Sequence, residues 1–298
     1  MKNEGLLLLG KQNMEIREIE MPQAAPDQVL IKTEYVGICG SDLHYYADPD
    51  KVPKLRQWEL PILLGHEAAG EVVAVGENVK HLQVGDKVAV EPGVPCGECE
   101  FCRSGRYNIC PSLSFMSSPP NRGAFRRYFE YPANMAYKLP DEVSTLEGCL
   151  LEPLAVGLHG AARAGVGLGD NVVIIGAGCV GLTLLLACKA RGAAKVILID
   201  IFDNRLAKAL ELGATAVVNS KNEDPAAKVA ELLGGGAHVV FEAVGSPATV
   251  ELCPQMLRPG GTIACIGSQP SGASYCFPAK YMIMKEPTVV MVHRYCND

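Results

Sequence analysis

Two hydrophobic rhythms divide the chain. The first half reads as short strand-like stretches, at 6–9, 14–19, 29–36, 71–75, 87–90 and 125–131, with Gly and Pro at the breaks. Residues 10–13, Gly-Lys-Gln-Asn, separate the first two runs and predict a hairpin. Gly85-Asp86 reads as a tight turn ahead of a strand, with no chemistry attached. Short strands at this spacing predict a compact β-barrel-like domain over residues 1–153.

From residue 154 the rhythm changes. Residues 172–175 are wholly apolar, as expected of a strand buried on both faces. A helical stretch at 182–191 and a second apolar strand at 196–199 follow. Helices at 204–212, 225–233 and 247–257 then alternate with strands at 216–219, 238–241, 262–266 and 288–292. Six strands alternating with helices predict an α/β domain over residues 154–298, a doubly wound parallel sheet. No repeat or low-complexity linker separates the halves.

The first strand of that domain runs into Gly176-Ala-Gly178-Cys-Val-Gly181, then a helix, then a strand ending in Asp200. This is the dinucleotide fingerprint in its structural context. Gly176 allows the tight turn, Gly178 admits the pyrophosphate to the backbone, and Gly181 lets helix and strand pack closely. The pyrophosphate would meet the positive end of the helix. Asp200 would accept from the adenosine ribose hydroxyls and repel a 2′-phosphate, which favours NAD over NADP. Arg205 reads either as a partner for such a phosphate or as a plain surface arginine.

Composition narrows the context. The 298 residues are 48% hydrophobic and 20% charged, ordinary for a globular chain with two cores. A net charge of −6 and the lack of any basic run exclude a nucleic-acid footprint. The leucine run at 6–9 is far too short for a signal h-region or a membrane span. Twelve cysteines without a secretory leader favour a reduced, cytoplasmic protein that uses thiolates for metal.

Four of those cysteines form a cluster: Cys96, Cys99 and Cys102 at intervals of three, closed by Cys110. Four thiolates so spaced can wrap one structural zinc, and the spacing fits neither ferredoxin pattern. His66 and Glu67 sit side by side after Gly65, either as a solvated strand end or as zinc ligands. Cys39 upstream and Glu152 downstream are further candidate donors. Cysteines 149, 179, 188, 253, 265, 276 and 296 read mostly as small hydrophobes, and His81, His159, His238 and His293 as structural.

Taken together, VGICGSDLHYY, GHEAAGEVVAVG, the 96–110 cluster, LLEPLAVGLHG, GAGCVG and the terminal HRYCND resemble the zinc-containing medium-chain dehydrogenases, in their polyol-oxidising branch. The resemblance runs along the whole chain. It implies a GroES-like β-barrel catalytic domain joined to a Rossmann domain. It implies a catalytic zinc held by Cys39, His66 and Glu67, with Glu152 ligating or holding a water. It further implies that Tyr45 and Arg294 hold polyol hydroxyls, and that Val180, Ile266, Gly267, Ser268 and Val292 contact NAD. Ser41 and His44, or Glu152, would serve as a proton path; His44 reads equally as a core histidine. The implied partner is a small polyol, with no membrane, and the implied assembly is a homodimer or homotetramer.

The family also continues for several tens of residues past the last Rossmann strand and returns to the catalytic domain, whereas here only residues 293–298 follow. Three functions are therefore weighed. They are a polyol dehydrogenase, a zinc dehydrogenase of threonine or butanediol type, and an NAD-binding fragment of weak activity.

Overall fold

The computed structural model describes residues 2–49, 60–268 and 273–297; Asp298 of the terminal motif lies outside them. The chain divides into two compact units, Met1–Glu152 and Pro153–Asp298.

The first unit runs through β1 (Asn3–Gly10), β2 (Asn13–Ile19), β3 (Gln28–Gly37), α1 (Gly40–Ala47), β4 (Ile62–Leu63), β5 (Glu67–Val75), β6 (Lys87–Val90), β7 (Gly93–Val94), α2 (Glu100–Arg103), β8 (Ser114–Phe115), β9 (Tyr128–Pro132), β10 (Ala136–Lys138) and α3 (Thr145–Gly148). The hairpin β1-β2 extends into a sheet of order β2-β1-β4. A larger antiparallel sheet has the order β10-β6-β5-β3-β9, and β7 pairs with β8. Val29 and Ile31 alternate inward from β3 and meet Val72, Val88 and Phe129 in one apolar core.

Several strand boundaries differ from the expectation: β1 begins at Asn3 instead of residue 6, the strand expected from residue 262 begins at Leu257, and two more differ in the larger sheet of the first unit. β5 begins at Glu67 instead of residue 71, because Ala68, Ala69 and Gly70 pair with β3 despite their low strand propensity. β9 begins at Tyr128 instead of residue 125. Residues 125 and 127 have already committed their N–H groups to the carbonyls of Leu64 and Glu4.

The second unit follows α4 (Leu151–Arg163) with β11 (Asn171–Ile175), α5 (Cys179–Ala190), β12 (Lys195–Asp200), α6 (Asp203–Glu211), β13 (Ala216–Asn219), α7 (Pro225–Leu233), β14 (Ala237–Glu242), α8 (Pro247–Met256), β15 (Leu257–Cys265), α9 (Ala279–Lys285) and β16 (Thr288–Met291). All six strands are parallel, in the order β13-β12-β11-β14-β15-β16. This is the doubly wound order that the alternation predicts. Along β11, Val172 and Ile174 enter one core while Val173 and Ile175 enter the other, so both faces of the sheet are covered. The periodicity gave no sign of α9. It is fastened by Lys285, whose Nζ donates to the carbonyls of Pro254, Gln255 and Leu257 at the end of α8. Among the described residues, no helix is long and apolar enough to cross a membrane.

Phe129 is wholly buried and Leu168 is 92% exposed. Phe129→Ala should cost about 3–5 kcal/mol in urea unfolding, and Leu168→Ala less than about 0.5 kcal/mol. Similar costs for the two would show that Phe129 is not part of the core.

Candidate metal sites and dinucleotide-binding loop

The cysteine cluster is built by a loop and one short helix. Cys99 caps α2, and its sulfur accepts from the Cys102 N–H at 3.5 Å. The Sγ atoms of Cys96 and Cys102 lie 3.8 Å apart, Cys99 and Cys102 3.4 Å, and Cys96 and Cys110 3.5 Å. A disulfide needs about 2.05 Å. Four sulfurs around a tetrahedral ion, each bonded at about 2.3 Å, stand about 3.8 Å apart. The cluster therefore has the dimensions of a closed zinc site. Backbone N–H groups of Glu98 and Cys99 lower the Cys96 thiol to about 6, which favours the thiolate that a metal requires.

The second group brings together Cys39, His66 and Glu67, whose donor atoms all lie within 4.8 Å of one another. Cys39 precedes α1, and His66 and Glu67 stand at the start of β5. One carboxylate joins these two turns. Asp42, 3% exposed, accepts from the Cys39 N–H at 3.0 Å and from the Gly65 N–H at 3.2 Å. Its Oδ1 also lies 3.5 Å from Ser117 Oγ and 4.0 Å from His66 Nδ1. The imidazole of His66 packs against Phe115, ring centroids 5.3 Å apart. Ser41 hydrogen-bonds to the Cys39 sulfur through its hydroxyl and its N–H.

Glu67 explains a glycine. It pairs across the sheet with Gly37, and a Cβ at Gly37 would lie 2.0 Å from Glu67 Oε2. The carboxylate occupies the space that a side chain there would fill, so it is aimed at the group of donors instead of at solvent. Burial pushes the Cys39 thiol up to about 11, with the charges of Glu67 and Glu152 adding to the rise and the Ser41 hydrogen bonds opposing it. Burial likewise raises the Glu67 carboxyl. A cation held by these donors would reverse that balance and favour both anions. One thiolate, one imidazole and one carboxylate are a donor set that zinc accepts.

Asp42, Gly37 and Phe115 were missed by sequence reasoning. The spacing Cys39-x-x-Asp42 before a helix is a capping-box pattern and could have pointed to Asp42. Glu152, in the first turn of α4 and 9% exposed, stands outside the 4.8 Å group, and its charge acts on Cys39. Tyr45 lies one helical turn after Ser41 on α1 and is half-buried, whereas His44 is exposed and is not a core histidine. Arg294 follows β16 in the second unit, with φ 54°.

In the second unit, Gly176 has φ +105° and turns the chain out of β11. A Cβ at Gly181 would lie 1.8 Å from the Gly176 carbonyl oxygen, so only glycine fits where α5 crosses the loop. A Cβ at Gly178 would meet nothing within 4 Å, and Gly178 caps α5 without a side-chain acceptor. Open space before an uncapped helix N-terminus fits a pyrophosphate. Val180 lies in the first turn of that helix. Asp200, 8% exposed, accepts from the N–H groups of Ala177 at 2.7 Å, Ile201 at 2.7 Å and Phe202 at 3.0 Å. Arg205 Nη1 lies 3.7 Å from Asp200 Oδ2, and its guanidinium sits 4.8 Å from the Phe202 ring centre. Ile266, Gly267, Ser268 and Val292 follow the carboxyl ends of β15 and β16.

Among the remaining cysteines, 149, 188, 253 and 265 are buried, but Cys179 and Cys276 are exposed. His81 is satisfied by the Ala133 carbonyl at 3.0 Å, and His238 accepts from the Asn171 N–H at 3.0 Å.

Gly37→Ala should displace the Glu67 carboxylate, whose Oε2 would lie 2.0 Å from the new Cβ, and crowd Glu67 Cβ at 3.0 Å. The zinc content of the Cys39 group should fall while the cysteine cluster keeps its ion. Unchanged metal content, measured by mass spectrometry, would show that Glu67 does not depend on that gap.

Residues 25–141 match the family model of the alcohol dehydrogenase GroES-like domain, and residues 179–298 match that of zinc-binding dehydrogenases. Bovine sorbitol dehydrogenase is 42% identical over 302 residues, covering 99% of this chain and 83% of its own. An Escherichia coli oxidoreductase/dehydrogenase of unknown specificity has a structure that covers all of this chain and 85% of its own, with 45% identity and a TM-score of 0.93. The structure of a zinc-binding dehydrogenase from Sinorhizobium meliloti, bound to NADP, covers all of this chain and 86% of its own, with 30% identity and a TM-score of 0.90. These similarities extend over both units; the chain belongs to the zinc-binding dehydrogenases, a family of oxidoreductases with a GroES-like domain ahead of a Rossmann-type domain.

Proposed function

We infer that the protein oxidises a secondary hydroxyl of a polyol of the sorbitol, xylitol or L-iditol class to a ketose, with NAD as hydride acceptor. The observation that carries this reading is the donor group Cys39, His66 and Glu67, in one chain with a built dinucleotide loop. The similarity to a sorbitol dehydrogenase supports the substrate class.

Cys39, His66 and Glu67 would hold the catalytic zinc, with Glu152 at its edge. The ion, when bound, supplies Lewis acidity that lowers the pKa of a substrate hydroxyl toward neutrality. Asp42 fixes the spacing of the two ligand turns, and Ser41 orients the Cys39 sulfur. Tyr45 and Arg294 would hold the remaining hydroxyls of the polyol. A proton released from the substrate has Glu152, or Ser41 and the exposed His44, as its route to solvent. Cys96, Cys99, Cys102 and Cys110 would hold a structural zinc that keeps their loop folded.

Asp200 supports NAD. Three backbone donors already occupy its oxygens, which leaves room to accept from a ribose hydroxyl and none to tolerate a phosphate. Arg205 leans on Asp200 and on the Phe202 ring, so its charge is engaged. A dehydrogenase of butanediol or threonine type is the second reading, since the same donor group serves it.

A panel of sorbitol, xylitol, L-iditol, 2,3-butanediol and threonine, each with NAD and NADP, tests both choices. Polyols with NAD should give the highest kcat/KM. Asp200→Ser should move the NAD/NADP ratio toward NADP by about tenfold, equivalent to about 1.4 kcal/mol. A preference of the unaltered protein for NADP would overturn the cofactor assignment, and faster turnover of butanediol or threonine would overturn the substrate.

A further inference from the structure

Glu242 is wholly buried at the carboxyl end of β14 and takes no part in the site described so far. One of its carboxylate oxygens is crowded with donors. Oε1 accepts from the N–H groups of Val244 at 3.0 Å and Gly245 at 2.9 Å, and from Thr249 Oγ1 at 2.7 Å. Oε2 has no hydrogen-bond donor among the described residues. It is directed at Gly267, where a Cβ would lie 2.6 Å away. The main-chain carbonyl of the same residue accepts from the Ile266 N–H at 2.9 Å and the Gly267 N–H at 3.0 Å. Glu242 therefore holds the turn after β14 with its side chain and the turn after β15 with its backbone.

The two turns interlock at glycines. A Cβ at Gly267 would lie 2.1 Å from the Gly245 nitrogen. Gly245 has φ +82°, and a Cβ there would lie 2.3 Å from the Ser268 carbonyl oxygen. Neither turn can shift without the other, and the carboxylate beneath them is the common anchor. A buried carboxylate with three donors on one oxygen is costly to place and costly to lose.

In a doubly wound sheet the dinucleotide lies across the carboxyl ends of the strands, one mononucleotide to each half. The glycine loop and Asp200 belong to β11 and β12, and hence to the adenosine half. β14 and β15 belong to the other half, which receives the nicotinamide nucleoside. We propose that Glu242 is a positioning residue that locks the 244–245 and 266–268 turns in the shape that the nicotinamide half of the cofactor requires, without touching the cofactor. This rests on the NAD reading above.

Binding of two ligands to the full chain separates the possibilities. NADH reports on both halves of the site and ADP on the adenosine half alone; each is titrated by calorimetry or fluorescence against the unaltered protein, Glu242→Ala and Glu242→Gln. Glu242→Ala should weaken NADH about tenfold, as expected for the loss of a charge-assisted hydrogen bond, and leave ADP within about twofold. Glu242→Gln keeps an oxygen acceptor for the same donors and should restore NADH binding to within about threefold. If Glu242→Ala does not fold, Thr249→Val removes one of the three donors and should weaken NADH about threefold with ADP unchanged. NADH binding that is unchanged, or NADH and ADP weakened alike, would overturn the positioning role. An unaltered protein that binds neither ligand would overturn the NAD reading itself, and this role with it.

Discussion

A single buried carboxylate, Asp42, sets the spacing on which the donor group of the first unit depends. Asp42 ties the turn carrying Cys39 to the turn carrying His66 and Glu67, segments 23 residues apart at its Gly65 contact. Those N–H groups would be orphaned at the start of α1 and at the bend into β5 without it. The same contacts that stop a helix from fraying therefore bring a thiol, an imidazole and a carboxylate within reach of one ion. The surrounding fold enforces this from outside. The gap at Gly37 receives Glu67, the Phe115 ring backs His66, and a Cβ at Gly65 would strike the Phe125 ring.

The second unit uses the same device with different residues. Asp200 and Glu242 each end a parallel strand, and each carboxylate collects backbone N–H groups from the turn that follows. Asp200 also takes the Ala177 N–H of the glycine loop, so the loop is tied to the carboxyl end of β12. Glycines then close the remaining distances, as at Gly181 against Gly176. Preorganised turns of this kind lower the cost of binding, because little has to be ordered when the ligand arrives.

How much of this was legible in the sequence depended on the range of the interaction. The parallel sheet was visible because its strands are apolar on both faces, and the loop because its glycines obey backbone sterics. The two sets of donors could be named residue by residue, the cysteines from spacing and the mixed group through a family resemblance. The start of β5 was not legible, because Ala68, Ala69 and Gly70 owe their strand to pairing with β3. The late start of β9 likewise follows from backbone bonds to distant strands. Asp42 and Glu242 looked like ordinary acidic residues, since their importance comes from burial, which one-dimensional patterns do not record.

The two donor groups would hold two zinc ions in unlike surroundings. The X-ray absorption spectrum at the zinc edge, taken on protein carrying two ions, reads this directly. Four thiolates at one site and one at the other give five sulfurs per two zinc ions at about 2.3 Å, with the remaining ligands nitrogen or oxygen at about 2.0–2.2 Å. A spectrum with four sulfurs per zinc throughout, or with no nitrogen or oxygen shell, would contradict it.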